Sequence, residues 1–251
     1  MTEVTSILVT VLAGFLMGLA KGGMGSVLGA LVTPMVGLAI PVRQAVGVVL
    51  PFAEIGNAMA LVYYWRKWES WRMWLLLPVS LLGIVAGVLM LARLPEDALR
   101  KAIGALALLA ALYKVSEGRL RTLAYRPRQW HALVAGGLSG FGSGLANTGG
   151  PPFTAYLLLQ KLSPLHFAAN TALFFAVADT IKVPFFIAAG VITHETLLLS
   201  LWGMGMVPLG VWVGKKMVDR INPRVFEALM LALLVVASVL LLATPPPRPA
   251  P

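Results

Sequence analysis

Two glycine-rich polar motifs interrupt long apolar stretches of this sequence and have the chemistry of an anion site. The first contains Lys21, Gly22 and Gly23. A helix that restarts after paired glycines exposes backbone N–H groups and the positive end of its dipole, and glycine lets a ligand touch the backbone. Lys21 adds a positive charge whose insertion at the centre of a membrane costs roughly 2.5–3.5 kcal/mol or more, so it needs a partner. A bound anion is one such partner. A lysine that reaches the membrane surface, or pairs with Glu54 or Asp179, is the structural alternative.

The second motif supplies neutral donors beside another glycine pair. Asn147 and Thr148 precede Gly149 and Gly150. An amide and a hydroxyl suit the oxygens of an oxyanion, because they donate hydrogen bonds without a charge. Asn and Thr are also common helix caps, so binding and capping are both open for this pair.

Three more polar side chains, those of Asn57, Asn170 and Thr171, fall inside apolar helices. They are candidates to face the same cavity as the two motifs. Interhelical hydrogen bonding without ligand contact is the alternative for each of them.

Glu54, Asp179 and Lys182 are the remaining ionisable residues well inside predicted spans, and they are candidates for coupling or gating. Asp179 and Lys182 are three residues apart on one helix and can pair, which is a structural explanation for both. Glu54 has no local partner. It is therefore the first candidate for a proton-carrying or gating carboxylate, and Asp179 is the second.

The composition is typical of an integral helical membrane protein. The chain has 251 residues, of which 59% are hydrophobic and 12% charged, and it contains no Cys. Since thiolates are absent and the three His are scattered, neither a metal nor a cofactor is predicted. The net charge of +10 comes from basic residues in short loops between apolar segments. That distribution indicates membrane lipid, and not nucleic acid, as the partner of the surface.

The pattern of apolar segments predicts two copies of one unit. Residues 5–39 and 130–162 are each too long for one straight span, while each half is too short, so both are predicted to be re-entrant helical hairpins. Six spanning helices are predicted at 42–65, 71–92, 98–115, 165–190, 195–214 and 223–243. The predicted organisation is a first repeat at 1–115, a cytoplasmic linker at 116–129, a second repeat at 130–243 and a disordered proline-rich tail at 244–251.

The basic residues of the loops predict an orientation. If both hairpins are re-entrant, thirteen Lys and Arg fall on one side and five on the other, whereas two single crossings would divide them nine against nine. The richer side is the cytoplasmic one, which places both termini outside the cell membrane. Three spans per half invert the second repeat relative to the first. The predicted fold is therefore an all-α integral membrane protein with two inverted repeats, each a re-entrant hairpin plus three transmembrane helices, as in many transporters.

The two motifs resemble those of the sulfite exporter TauE/SafE family, also described as the TSUP transporters. The resemblance rests on Gly-Leu-Ala-Lys-Gly-Gly-Met-Gly at 18–25 followed by Pro34, and on Gly-Gly-Leu-Ser-Gly at 136–140 followed by Thr-Gly-Gly-Pro-Pro at 148–152. It covers nearly the whole chain in length and repeat order. Members of this family are permeases for sulfite, sulfoacetate and other small organosulfur anions, so the resemblance implies a substrate of that class.

The sequence thus predicts a secondary transporter, and not an enzyme, that exports small anions such as sulfite or organosulfonates by alternating access. An anion channel is the first alternative, because glycine-rich re-entrant segments also suit a pore. A membrane-embedded lipid-phosphate enzyme is less favoured, because such chemistry needs clustered carboxylates and a nucleophile beside an oriented base. The coupling ion, the substrate and any homo-oligomer are left open.

Overall fold

The computed structural model describes residues 3–24, 26–68, 73–122, 128–217, 220 and 222–245, and the regular structure within these ranges is entirely helical. The first half contains α1 (Glu3–Leu19), a π-helical turn (Ala20–Met24), α2 (Ser26–Ala39), α3 (Val42–Tyr63), α4 (Met73–Arg93) and α5 (Glu96–Thr122). The second half contains α6 (Gln129–Ala146), α7 (Gly150–Leu159), α8 (Pro164–Ala188), α9 (His194–Met204), α10 (Met206–Met217) and α11 (Pro223–Ala243).

Six helical segments of the described chain are long and apolar enough to cross a membrane. They are Val4–Met24, Val42–Tyr63, Met73–Arg93, Pro164–Ala188, His194–Met217 and Val225–Ala243. This confirms an α-helical, multi-pass membrane protein. Five of the segments coincide with predicted spans. The predicted span 98–115 falls within α5 but is not among the six, because Arg100, Lys101 and Lys114 shorten its apolar centre.

The first predicted hairpin is broken between α1 and α2. The helix widens into the π-helical turn at Ala20–Met24, where Gly23 has φ 112° and ψ 0°. Only glycine adopts that backbone without strain, so the break depends on its presence there. Because the turn prolongs α1, the first limb runs for 21 residues from Val4 to Met24. The expectation that each half of the hairpin is too short to cross is therefore wrong for this limb, although α2 has only 14 residues.

The second break lies where the glycine pattern predicts it. Asn147 ends α6 in the left-handed conformation, with φ 55°. The N–H of Thr148 then donates to the carbonyl oxygen of Gly142 at 3.0 Å, which satisfies the end of the helix. α7 begins at Gly150 with proline in its first turn, where a missing N–H costs little.

Glycine faces allow three pairs of helices to pack backbone against backbone. α1 packs along α9 and α10, and α6 packs along α4. A Cβ at Gly22 would lie 2.7 Å from the carbonyl oxygen of Val211, and a Cβ at Gly144 would lie 2.5 Å from that of Ile84. No side chain fits at such distances. These contacts therefore fix where each broken helix sits against its neighbour.

Gly144→Ala is expected to lower the thermal unfolding midpoint of the purified protein. The obstructing atoms are backbone, and overpacking of this kind typically costs about 1–3 kcal/mol. Gly137→Ala on the same helix is the matched control, because its Cβ would meet Cγ1 of Val79 at an ordinary 3.5 Å. Scanning fluorimetry in detergent measures both variants. Equal midpoints for the two would contradict the close approach of α6 and α4.

Arg100 is buried and joins three helices at one end of the molecule. Its side chain is 3% exposed. It donates to the carbonyl oxygen of Gly37 at 2.7 Å and to Oγ1 of Thr244 at 2.9 Å. Thr244, predicted as the first residue of the disordered tail, is thus held against α5. Residues 246–251 of that predicted tail lie outside the described residues.

Two other boundaries differ from the prediction. α5 continues to Thr122, so the first part of the predicted linker 116–129 is helical, and residues 123–127 lie outside the described part. Lys114 stabilises this extension, because its Nζ lies 2.6 Å from Oε2 of Glu117 one turn later. The predicted span 195–214 is divided into α9 and α10, which meet at Gly205.

Candidate functional site

Lys21 lies in the π-helical turn of the first break and approaches α3 and α8. Its Nζ donates to Oδ1 of Asn57 at 2.5 Å and lies 5.2 Å from the centroid of the Phe175 ring. Across the described chain, the ion pairs found do not include Lys21. The ammonium is thus held by a neutral amide and the face of a ring, and its charge is not neutralised by a contacting carboxylate.

Asn57 connects Lys21 to α8. Its Nδ2 donates to Oδ2 of Asp179 at 2.7 Å and to the carbonyl oxygen of Phe175 at 3.2 Å. Asn57 is 1% exposed, so these bonds are shielded from water. The amide is therefore fixed, with its oxygen toward the lysine and its nitrogen toward the carboxylate.

Asp179 and Lys182 form a buried ion pair on α8. Nζ of Lys182 lies 2.7 Å from Oδ1 of Asp179, and the two side chains are 0% and 7% exposed. The same ammonium donates to Oδ1 of Asn147 at 2.8 Å and to Oγ of Ser143 at 3.1 Å. A buried pair is tolerated when further hydrogen bonds complete it in this way.

We call these six residues the polar network: Lys21, Asn57, Ser143, Asn147, Asp179 and Lys182. The network begins at the first break and ends at the second. Side chains of α3 and α8 form the links between the two breaks. Asn147 is held further by its Nδ2, which donates to the carbonyl oxygen of Val46 at 2.9 Å.

A cavity of about 390 Å³ lies beside the polar network. Lys21, Asn57, Ser143, Asn147 and Asp179 contribute to its wall. Much of the remaining wall is small or apolar and includes Met17, Ala20, Ala30, Ala53, Ala60, Phe167, Ala172 and Phe175. The cavity can therefore offer one end of a ligand a positive charge and the rest of it an apolar surface.

The cavity extends to the Tyr64 end of α3, where α5 and α11 also contribute charged residues. Nζ of Lys114 lies 2.6 Å from Oε2 of Glu117 and 3.1 Å from Oε1 of Glu227. We call these three residues the mouth cluster, and the lysine in it is neutralised. Among the described residues, no group of three or more His, Asp or Glu side chains could hold a metal ion.

Other residues that the sequence nominates for binding are divided between the cavity and the helix packing. Gly23, Thr148, Gly150 and Thr171 line the cavity. The hydroxyl of Thr148 donates to the carbonyl oxygen of Ala146 at 3.0 Å, and that of Thr171 to Phe167 at 2.7 Å.

Three nominated residues lie in the packing instead. Gly22 faces the backbone of α10. Gly149 accepts a hydrogen bond from Oγ of Ser139 at 2.5 Å through its carbonyl oxygen. Asn170 is 2% exposed and is not among the residues that line the cavity.

Glu54 lies on α3, one turn before Asn57, and does not line the cavity. Its Oε2 accepts a hydrogen bond from Oγ1 of Thr180 at 3.4 Å. Its Oε1 is buried and has no hydrogen-bond partner in the part of the chain that the structure describes.

Sequence reasoning missed Ser143 and the mouth cluster. Ser143 lies on α6 one turn before Asn147, between Gly142 and Gly144, and its hydroxyl in a glycine-rich apolar stretch was the available signal. Lys114 and Glu227 are far apart in the sequence and on different helices, so no local pattern relates them.

A family model described as sulfite exporter TauE/SafE matches residues 8–241. Neither the curated proteins nor the solved structures gave a match to this chain. The matched range contains both breaks, the polar network and the cavity wall. The chain therefore belongs to the sulfite exporter TauE/SafE family of membrane transporters.

Proposed function

We propose that this protein is a secondary transporter that exports a small anion, sulfite or an organosulfonate, by alternating access. Its family supports export of an anion of this class. The observation that carries the site is that Lys21 lines the cavity and is hydrogen-bonded to a neutral side chain, Asn57. An anion in the cavity would be the partner that this charge lacks.

The contacts of the lysines favour an anion over a cation at the Lys21 end of the cavity. Lys182 is neutralised by Asp179, and the lysine of the mouth cluster is paired with two glutamates. Among the described residues, Lys21 is therefore the cation of the cavity wall that has no carboxylate in contact with it. In surroundings of low dielectric constant its attraction for an anion is stronger than in water.

The size and wall of the cavity support an organosulfonate as the substrate. A volume of about 390 Å³ lies in the range of pockets that hold organic ligands, which is about 300–1,000 Å³. Phe167, Phe175 and several alanines would contact an organic group, while Lys21 would bind the sulfonate. A bare sulfite ion would use only the polar end.

The lengths of the second limbs support hairpins that end inside the membrane. α2 has 14 residues and is about 21 Å long, and α7 has 10 residues and is about 15 Å long. Both are shorter than a hydrocarbon core of about 30 Å. Irregular backbone at that depth is tolerated where it is buried in protein or lines a wet cavity, as the two breaks do.

Repeated contacts support the inverted duplication, with repeats at 1–115 and 130–243. Lys21 bonds Asn57 and Ser143 bonds Asp179, and each bond spans 36 residues. The bond from Asn57 to Asp179, between the halves, spans 122 residues, which is also the separation of Lys21 from Ser143. Equivalent positions thus make equivalent contacts and meet each other, as expected around a pseudo-twofold axis.

The charge bias supports a cavity that opens to the cytoplasm. The mouth cluster and Tyr64 belong to the ends of helices that the positive-inside rule assigns to the cytoplasm, and both termini are then outside. A cavity open on one side only is the inward-facing state of an alternating-access cycle. On the proposed extracytoplasmic side, Arg100 joins α5 to α2 and to Thr244, and these residues do not line the cavity.

Saturable exchange in proteoliposomes tests the proposal. Vesicles loaded with sulfite, methanesulfonate, benzenesulfonate or acetate are diluted into a radiolabelled sulfonate, and its uptake is followed against concentration. We expect saturation, and acceleration by a sulfonate inside the vesicles. Flux that rises linearly and ignores the internal anion would favour the channel. No flux of sulfite or of either sulfonate would reject the proposed function.

A further inference from the structure

Glu54 is a carboxylate whose surroundings lack the partners that an ionised group needs. It is half-buried on α3, and the hydrogen bond that it accepts from Thr180 is long at 3.4 Å. The other carboxylate oxygen is buried without a partner among the described residues. A buried ionised carboxylate is costly unless it is paired and hydrogen-bonded, whereas a protonated one is far less so.

Glu54 interacts electrostatically with three charged residues of the polar network. These are Asp179 and Lys182 on α8 and Lys21 in the first break. With all four groups ionised, two positive and two negative charges cancel. A proton on Glu54 leaves the group with a charge of +1.

An anion that enters the cavity alone would give this group of residues a net charge of −1. An anion that enters together with a proton on Glu54 leaves the net charge at zero, as in the empty site with Glu54 ionised. A net charge is unfavourable in low-dielectric surroundings. The empty site with Glu54 ionised and the site that holds an anion and a proton are therefore the two states expected to switch between the inward-facing and outward-facing conformations.

We propose that Glu54 binds one proton for each monovalent anion bound at Lys21, so that anion and proton cross the membrane together. This inference rests on the proposed function and adds its coupling ion. Transport of a monovalent anion is then electroneutral. Its direction follows the gradients of the anion and of the proton, and the membrane potential does not drive it.

Proton uptake on binding tests the coupling in the wild-type protein. Methanesulfonate and benzenesulfonate are the probes, because sulfonic acids stay ionised and cannot supply the proton themselves. Purified protein in weakly buffered detergent, with a pH-sensitive dye, is expected to take up as much as one proton per anion bound. If binding is linked to the uptake of one proton, the affinity for the sulfonate increases up to about tenfold for each unit by which the pH is lowered. This holds over the pH range in which Glu54 of the empty site is ionised.

Glu54→Gln places a permanently neutral group at this position. The variant is expected to bind both sulfonates with an affinity that does not depend on pH, and without proton uptake. In proteoliposomes its net flux should respond to a potassium–valinomycin potential, whereas wild-type flux should not. Glu195→Gln is the matched control, because Glu195 is an exposed carboxylate of α9. It should retain the wild-type proton uptake.

Two results would overturn the coupling. One is sulfonate binding by the wild type without proton uptake. The other is a Glu54→Gln variant that takes up protons as the wild type does. Should this variant fail to fold, the wild-type measurement still decides. Saturable exchange combined with sulfonate binding that takes up no proton would reject the coupling alone, whereas no exchange of either sulfonate would reject the organosulfonate transporter and the coupling with it.

Discussion

Lys21→Ala is expected to abolish sulfonate binding and leave the protein folded. The substitution removes the one network charge that no contacting carboxylate neutralises, next to the cavity. Loss of one partner from a desolvated charge pair costs about 2–5 kcal/mol, which corresponds to about thirtyfold weaker binding or more. The measurement is the rise in thermal unfolding midpoint that benzenesulfonate produces, since a ligand that binds only the folded protein stabilises it.

The fold should survive because the remaining network stays paired. Asn57 keeps its bond to Asp179, and Asp179 keeps Lys182. Lys101→Ala is the matched control, because Lys101 is an exposed lysine of α5. Its ligand-induced stabilisation should equal that of the wild type. Unchanged benzenesulfonate affinity in Lys21→Ala would remove Lys21 from the site.

Asp179→Asn is expected to destabilise the protein by about 3–5 kcal/mol, because it breaks a buried ion pair and leaves one charge behind. Lys182 is 0% exposed and would retain its ammonium among neutral partners, Ser143 and Asn147. The substitution also removes the acceptor charge of the bond from Asn57. The readout is the thermal unfolding midpoint without ligand.

The double variant Asp179→Asn with Lys182→Met separates charge from packing. Methionine keeps much of the volume of lysine and carries no charge, so the double variant should be more stable than Asp179→Asn alone. If the double variant loses as much stability as Asp179→Asn and Lys182→Met lose when their separate effects are added, the two residues do not act as a pair.

The sequence was informative about the breaks because two constraints converge there. A membrane limits the length of an apolar helix, and glycine marks the points where a helix can stop. That reasoning located Ala20–Met24 and the break at Asn147. It misjudged the length of the first limb, because a π-helical turn continues the helix through Lys21. It also missed the extension of α5, which Lys114 and Glu117 stabilise.

The sequence predicted which residues belong to the site better than it predicted which of them contact each other. Lys21, Asn57, Asn147, Asp179 and Lys182 are noticeable because polar side chains are expensive inside a membrane. Their pairing was only partly accessible. The ion pair on α8 follows from helical spacing, whereas the bond from Asn57 to Asp179 joins residues 122 positions apart and exists only once α3 and α8 pack together.

The natural absence of cysteine allows a direct test of the central claim, that an anion binds in the cavity next to Lys21. Thr171→Cys would place the only thiol of the chain in the cavity wall, and Ser116→Cys would place one on the exposed surface of α5. The measurement is the rate at which a maleimide modifies each thiol in detergent, with and without benzenesulfonate. The account predicts that benzenesulfonate slows modification at position 171 and leaves position 116 unchanged, and that the protection disappears when Lys21→Ala is added. Equal rates at position 171 with and without benzenesulfonate would contradict it.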